Sequence, residues 1–336
     1  MRVLIIGGTQ FVGRAVVEAF LARGDEVTLF HRGRTNPGLF PGVQHVYGDR
    51  DVDADLERIE GDFDVTFDSS AYIPRHVRSL AEVLAGRGGH YVHVSSISVY
   101  EPHAGSLDTE DAPVVALDDP FTEVVSANTY GGLKYLCEVA THAGFGHGGV
   151  SWSGLEPTII RPSYVAGPYD HTYRFTWWVE RISRGGDVLA PGPAANPFQV
   201  IDVRDLADFV VARAGQGGGT FHLAGPTPPF SFGDFLAEVT RVVGPPTTRL
   251  NWIEGERLVA AGLTSGEIPL WEGPEENLSL LVLDVTRARE AGLRLRPLAE
   301  TISAVHDHEQ RSPTTPRGPV GLDATREARL IAELGA

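Results

Sequence analysis

Hydrophobic and polar positions follow two alternating periods over the first hundred residues. Val3 to Ile6 is an unbroken apolar run, the pattern of a parallel strand buried on both faces. From Phe11 to Arg23 the positions Val12, Ala15, Val16, Ala19 and Phe20 share one helical face, and Gly24-Asp25 supplies a stop. Strands are predicted over 26–30, 43–47, 63–68 and 90–95. A helix over 74–85 turns Val77, Leu80, Ala81 and Leu84 inward. A helix over 130–143 and a strand over 157–161 continue the alternation. Strand and helix in turn at this spacing predict an α/β fold, a doubly wound parallel sheet with helices on both faces.

After Gly167 the pattern becomes irregular. Gly and Pro are dense over 185–197 and 215–229, and helices are predicted over 173–184, 204–214, 231–242 and 298–310. At ~150 residues per domain, 336 residues make about two domains. The expected division is a sheet domain over 1–165, to which 198–224 returns, a smaller lobe over 166–310, and a Pro-rich linker with a short amphipathic helix over 311–336.

Composition narrows the function classes. Hydrophobic residues are 42% and charged residues 21%, which excludes a disordered chain. Lys and Arg number 28 against 44 Asp and Glu, a net charge of −16. That balance repels phosphate backbones, and no run of Lys or Arg offsets it, so no nucleic-acid partner is expected. A single cysteine, Cys137, excludes an intramolecular disulfide and points to a reducing compartment. The first apolar run is too short for a secretory segment, and no stretch approaches the ~18 apolar residues of a membrane span. A cytoplasmic protein with a small-molecule substrate and no membrane partner is expected, and a homodimer is compatible with it. Residues 101–128 carry seven acidic residues and no Lys or Arg. A loop of that length is either a lid or a solubilising segment.

Three constellations carry chemistry. The first, Gly7-Gly8-Thr9-Gln10-Phe11-Val12-Gly13, joins the first strand to the first helix. Gly7 suits a tight turn and Gly13 close helix–sheet packing, and the helix start offers N–H groups to a pyrophosphate. The second is Phe30-His31-Arg32-Gly33-Arg34, closing the second strand. An acidic residue here selects NAD through the ribose 2′-OH, whereas arginine suits a 2′-phosphate. Arg32 and Arg34 therefore favour NADP(H), with NAD(H) as the alternative. Asp49 is a candidate for the adenine end. The third is Tyr130-Gly131-Gly132-Leu133-Lys134, where positions i and i+4 place phenol and ammonium on one helix face. A neighbouring cation favours the phenolate and is expected to lower the Tyr130 pKa. Ser95-Ser96 ends the fifth strand, at the sheet edge where such folds bind ligands.

Together these pieces resemble the short-chain dehydrogenase/reductase superfamily, in its extended or atypical branch of NAD-dependent epimerase/dehydratase-like proteins, over residues 1 to about 310. The run Arg161-Pro162-Ser163-Tyr164-Val165-Ala166-Gly167-Pro168 and the run Val200-Ile201-Asp202-Val203-Arg204-Asp205-Leu206-Ala207 look like two later elements of that branch. The resemblance implies a Rossmann-type fold with a smaller C-terminal substrate lobe. It implies Ser96, Tyr130 and Lys134 as the catalytic set, with Lys134 also on the nicotinamide ribose. It implies Gly7, Thr9, Gln10, Phe11, Val12 and Gly13 around the cofactor phosphates. Ile6 and Gln10 stand where the branch usually has Thr and the middle Gly, so Gln10 must tilt away or meet the phosphate itself. Reduction of a carbonyl in a small metabolite is the expected activity. Epimerisation or dehydration of a nucleotide sugar on bound NAD is the first alternative, and a non-catalytic or RNA-binding relative the second.

Other residues have two readings. Tyr100, Tyr164 and Trp177 are candidate substrate contacts, with Phe175 and Trp178 completing an aromatic wall; core packing is the plainer account of the aromatic cluster. Arg174, Arg181 and Arg184 lie near one helix stripe, as a diphosphate clamp or as solvated surface. Among twelve histidines, His90 and His93 are three apart on a strand and face opposite sides, so no metal site is expected.

Overall fold

A computed structural model describes residues 1–101, 109–226, 228–264, 266–273 and 282–335. Seven strands form one parallel sheet: β1 (Arg2–Ile6), β2 (Glu26–His31), β3 (Gln44–Tyr47), β4 (Val65–Asp68), β5 (His90–Val94), β6 (Thr158–Pro162) and β11 (Gly219–Leu223). Their order is β11-β6-β5-β4-β1-β2-β3, and every adjacent pair is parallel. The chain reverses its direction of travel across the sheet at β1, which pairs with both β2 and β4. That switch point opens a crevice at the strand ends, directly before helix α1 (Phe11–Arg23).

The apolar run of β1 is split between two cores because successive side chains point to opposite faces. Val3 and Ile5 join one cluster with Val16, Val17 and Phe20 of α1 and with Leu206, Phe209 and Val210 of α6 (Val203–Arg213). Leu4 and Ile6 join the other, with Val77, Leu80 and Ala81 of α3 (Pro74–Val83) and with Cys137 and Ala140 of α4 (Tyr130–Phe145). A four-residue helix, α2 (Asp53–Leu56), precedes β4 and escaped prediction because it is shorter than two turns. The buried stripe of α1 is Gly13, Val16, Val17 and Phe20, rotated slightly from the expected one. The rotation seats Gly13 against the turn after β1. A Cβ there would lie 2.8 Å from the Gly8 backbone nitrogen.

The smaller lobe has its own core. Helices α5 (Arg174–Ser183), α7 (Phe232–Val243) and α10 (Leu298–Arg311) pack around Phe175, Trp178, Phe198, Phe232, Phe235 and Ile302. Three short strand pairs brace it: β7 (Tyr164–Ala166) with β10 (Val200–Asp202), β8 (Asp187–Pro191) with β13 (Arg249–Ile253), and β9 (Pro197–Phe198) with β12 (Phe230–Ser231). Runs of two to five residues among Gly and Pro show no readable period, which is why the sequence alone does not reveal them. A brief helix, α8 (Gly255–Ala260), adds Leu258 to this core, a second, α9 (Thr286–Glu290), packs Ala288 against the main sheet beside β11, and α11 (Ala324–Leu334) is the terminal helix.

The Val200–Ala207 run is a joint between the lobes. Asp202 caps α6, pairs with Arg204 and Arg296, and accepts a hydrogen bond from Thr301 of α10. The stretch 312–323, expected as a linker, is packed along both lobes. Leu322 lies in the small-lobe core, and Glu327 of α11 pairs with Arg181 at 2.6 Å. Among the described residues no helix is long and apolar enough to cross a membrane.

Candidate functional site

The turn after β1 places Thr9, Gln10, Phe11, Val12 and Gly13 at the switch point. Gly7 adopts φ +104°, a region most side chains avoid, and its N–H bonds the Phe30 carbonyl. Phe11 is held at φ 36°, a strained value for a bulky residue, with its ring buried and edge-on to His171. No side chain caps α1, and its first turn holds no acidic residue. The start of the helix is thus left with uncapped N–H groups and the positive end of its dipole. The Asn36 amide holds the Thr9 carbonyl at 2.8 Å. The Gln10 side chain tilts away from the loop, and its Oε1 accepts from Arg317 at 2.6 Å.

At the end of β2, Arg32 and Arg34 are exposed and make no ion pair among the described residues. Beneath them His31 is buried in a neutral relay: the Gly33 N–H donates to its Nδ1, its Nε2 meets His45 Nδ1 at 2.7 Å, and His45 Nε2 meets the Phe40 carbonyl. Burial, then the neighbouring His45, lowers the His31 pKa. Asp49 is half-buried in the turn after β3, where its N–H bonds Asp55 and its carboxylate takes the Asp51 N–H.

Helix α4 sets the third constellation. A Cβ at residue 131 would overlap the Ser98 carbonyl oxygen, and one at residue 132 would overlap the Leu117 side chain. Each glycine costs a helix roughly 1 kcal/mol. Here that cost allows the helix start to press onto the turn after β5. Tyr130 thereby comes within hydrogen-bonding reach of Ser96, which also accepts from the Ser98 N–H. Lys134 lies one turn further, buried, and donates to the carbonyls of Ala71 at 2.8 Å and Val94 at 2.6 Å. The expected lowering of the Tyr130 pKa is not found. Burial raises it, Tyr72 adds to the rise, and Ser96 and Arg174 oppose it. Lys134 spends its charge on two backbone carbonyls, and burial lowers its own pKa. A cleft of about 510 Å³ opens beside Tyr130, lined by Ser98, Val115, Val125, Ser126 and Asn128.

Two substrate candidates move to the framework. Tyr100 contributes to the wall of that cleft but is only 1% exposed, and its hydroxyl is held between His222 Nε2 and Arg161. Arg161 in turn forms a two-pronged pair with Glu138 at 2.6 and 2.9 Å. This buried network accounts for the arginine near the end of β6 and was not foreseen, because its members are far apart in sequence. Trp177 lies beneath Gly321 and edge-on to Trp178, whose indole N–H bonds the Pro269 carbonyl. Phe175 is equally buried, so the aromatic cluster is core and no wall. Tyr164 keeps a place near the site, with the Arg174 guanidinium 4.7 Å above its ring. The arginine stripe divides: Arg174 faces Tyr130, Arg181 is bound by Glu327, and Arg184 is exposed at the far end.

The acidic segment is partly spoken for. Residues 102–108 lie outside the described residues. Glu110 is buried and accepts from the His222 N–H, and Glu123 pairs with Arg75. His90 and His93 share no partner; His90 meets Thr158, and His93 lies near Lys134 and Asp68. Cys137 is buried, and burial pushes its thiol up to about 11. A second buried pair, Arg50 on Asp68 at 2.8 Å with the Tyr91 hydroxyl on the same carboxylate, supports the crevice from below. Two further buried hydroxyls, Ser95 Oγ and Ser163 Oγ, have no hydrogen-bond partner; they sit past the ends of β5 and β6, beside the crevice.

A sequence profile of the NAD-dependent epimerase/dehydratase family matches residues 3–223, about two thirds of the chain. The chain belongs to this family. Its helix-opening loop, its Ser-Tyr-Lys set and all seven sheet strands fall within the match. Over 223 residues it is 27% identical to the chloroplast stem-loop binding protein of 41 kDa b from Arabidopsis thaliana, covering 61% of this chain and 53% of that protein. The chain spans about half the length of that curated relative. The fold resembles UDP-glucose 4-epimerase from Thermus thermophilus, solved with NAD, at TM-score 0.65 and 19% identity over 93% of this chain and 100% of that one. It also resembles dTDP-glucose 4,6-dehydratase from Bacillus anthracis, solved with NAD, at TM-score 0.66 and 14% identity over 93% and 98%. At these identities the structural likeness is one of fold.

Proposed function

We propose that the chain is a nicotinamide-dependent oxidoreductase acting on a hydroxyl or carbonyl carbon of a small molecule. The observation that carries this reading is the seat of α4: its two glycines bring Tyr130 onto Ser96 at the crevice edge, one turn from Lys134 and next to the uncapped start of α1. The unpartnered hydroxyls of Ser95 and Ser163 and the Gly13 contact, which leaves no room for a side chain, fit a dinucleotide lying across the switch point. Ser96 would hold the substrate oxygen and Tyr130 would pass its proton. Lys134 would exchange a backbone carbonyl for the nicotinamide ribose. A bound nicotinamide supplies the hydride. The phenol is raised in the free chain, so it rests as a proton donor, suited to the reductive direction.

Arg32 and Arg34, exposed and unpaired at the ribose end, support NADP(H) over NAD(H). The net charge of −16 argues against a nucleic-acid partner, and with one buried cysteine it fits a cytoplasmic enzyme. One observation favours the epimerase or dehydratase reading. Arg174 is exposed beside Tyr130 and Tyr164 without an ion-pair partner among the described residues, where it would meet a substrate phosphate.

Cofactor content and turnover decide among these. The purified protein is denatured and its released dinucleotide identified, and NADPH absorbance at 340 nm is followed with a carbonyl panel. Stoichiometric NADPH loss supports the reductase. Retained NAD with no net absorbance change during sugar-nucleotide conversion supports the epimerase. Binding to stem-loop RNA without any dinucleotide affinity overturns both.

A further inference from the structure

The tail crosses the start of α1, a helix end that no side chain caps among the described residues. Its backbone is fixed on either side of Arg317. Upstream, Thr314 makes two hydrogen bonds to Glu309, at 2.6 and 2.9 Å. Downstream, Gly321 lies against the Trp177 indole and Leu322 is buried in the small-lobe core. Between these anchors the Arg317 N–H bonds the His171 carbonyl, and its guanidinium reaches Gln10 Oε1 at 2.6 Å.

This position is electrostatically unfavourable in the free chain. A guanidinium at the start of a helix repels the dipole it faces. Arg317 has no carboxylate partner among the described residues, although the protein carries 44 acidic residues. Arg317 and Arg174 both act on His171, whose pKa burial and these two charges lower to about 4. Among the described residues the side-chain partner of Arg317 is a neutral amide, which occupies one of its five N–H donors. Arg317 and the bare helix start meet where an anion would relieve both, whereas Arg174 already has the Asp170 carboxylate near it.

We propose that Arg317 closes the C-terminal strap over the β1–α1 turn and donates directly to the pyrophosphate of the bound dinucleotide. The proposal rests on the nicotinamide-dependent reading above and adds to it a binding residue from outside the matched family region, which ends at residue 223. It also accounts for Gln10. The residue at the middle-glycine position leads its side chain out to the strap, so the loop backbone stays open to phosphate while the strap is held in place.

The test is binding, measured by calorimetry with NADH, NADPH, ADP-ribose and UDP at two salt concentrations. Wild type, Arg317→Ala, Arg317→Lys and Gln10→Ala are compared. Arg317→Ala should weaken all three adenine ligands about tenfold and flatten their salt dependence. Arg317→Lys should recover part of the loss, and Gln10→Ala, which frees the strap but keeps the arginine, should lose clearly less than Arg317→Ala. Both side chains lie at the surface, so melting temperatures should stay within about 2 °C. Arg317→Ala binding NADH within twofold of wild type overturns the proposal while leaving the oxidoreductase reading intact. So does a loss confined to UDP, which would assign Arg317 to a substrate diphosphate. An equal loss in Gln10→Ala overturns the direct contact. Wild-type protein that binds no dinucleotide removes the oxidoreductase reading and this proposal with it.

Discussion

The open edge of the main sheet and the interior of the smaller lobe use similar residue types in opposite ways. At the sheet edge Ser95, Ser163, Arg32, Arg34 and Arg174 stand without partners or ion pairs among the described residues, and Tyr130 and Lys134 are placed by costly glycines and backbone carbonyls. In the lobe the aromatic residues pack ring on ring, the Trp178 N–H is satisfied, and Arg181 is fully engaged. A protein interior leaves few polar groups unmet; Thr248 Oγ1 and Arg326 Nε are unmet in the lobe as well, but the Ser95 and Ser163 hydroxyls lie together past the ends of adjacent strands, which marks that edge as a place where something else is to bind. An aromatic cluster by itself marks only a core.

This contrast can be broken from either side. The largest effect is expected in the lobe. Trp178→Ala removes a fully buried indole and should destabilise the protein by about 3–5 kcal/mol in denaturant unfolding, while dinucleotide affinity of the folded protein changes little. A matching loss of affinity at full folding would place the lobe core in the binding site. Next comes Tyr130→Phe, which should lower turnover at least ~100-fold, about 2.7 kcal/mol, and leave the melting temperature nearly unchanged. Turnover near wild type would mean that another group moves the proton.

Legibility followed the same boundary. The main strands and long helices were readable because burial on both faces of a sheet and on one stripe of a helix writes a period into the chain. Glycines 7, 13, 131 and 132 were visible as residues, but only the approach of α4 to Ser98 and to Leu117 shows why 131 and 132 are there. The network through Tyr100, Arg161, Glu138 and His222 joins residues up to 122 apart and leaves no local signature. The same holds for Arg317 and Gln10, which are 307 apart.

A third prediction separates the two ends of one strand. His90, at the start of β5, accepts the Gly215 N–H at Nδ1 and meets Thr158 at Nε2, and burial with Arg213 lowers its pKa to about 4. A histidine whose folded pKa lies below the unfolded ~6.5 costs no stability above that value. It lowers stability as pH falls, because the unfolded chain takes up the proton first. Stability should therefore drop by about 2 kcal/mol between pH 7 and pH 5, and His90→Gln should remove that share. Unfolding curves with the same pH slope in both proteins would contradict it. The smallest effect concerns selectivity alone. NADPH should bind ~10-fold tighter than NADH, about 1.4 kcal/mol, and Arg32→Ala should erase most of the gap without moving the melting temperature. Equal wild-type affinities would remove the role assigned to Arg32.

The chain's own order of residues settled the class of fold, the loop that opens α1, and the Tyr130–Lys134 pairing, since each depends on periods and spacings of a few residues. Only the folded structure decided which polar groups are consumed and which are left free. Tyr100 and Trp177 are chemically suited to a ligand, yet the first is locked by His222 and Arg161 and the second covered by the tail. Whether a hydroxyl, a ring or a guanidinium is available depends on neighbours brought from distant parts of the chain. The Tyr130 phenol shows this most directly: a cation four residues away in sequence was expected to lower its pKa, and desolvation, with Tyr72 adding to it, turned the shift upward.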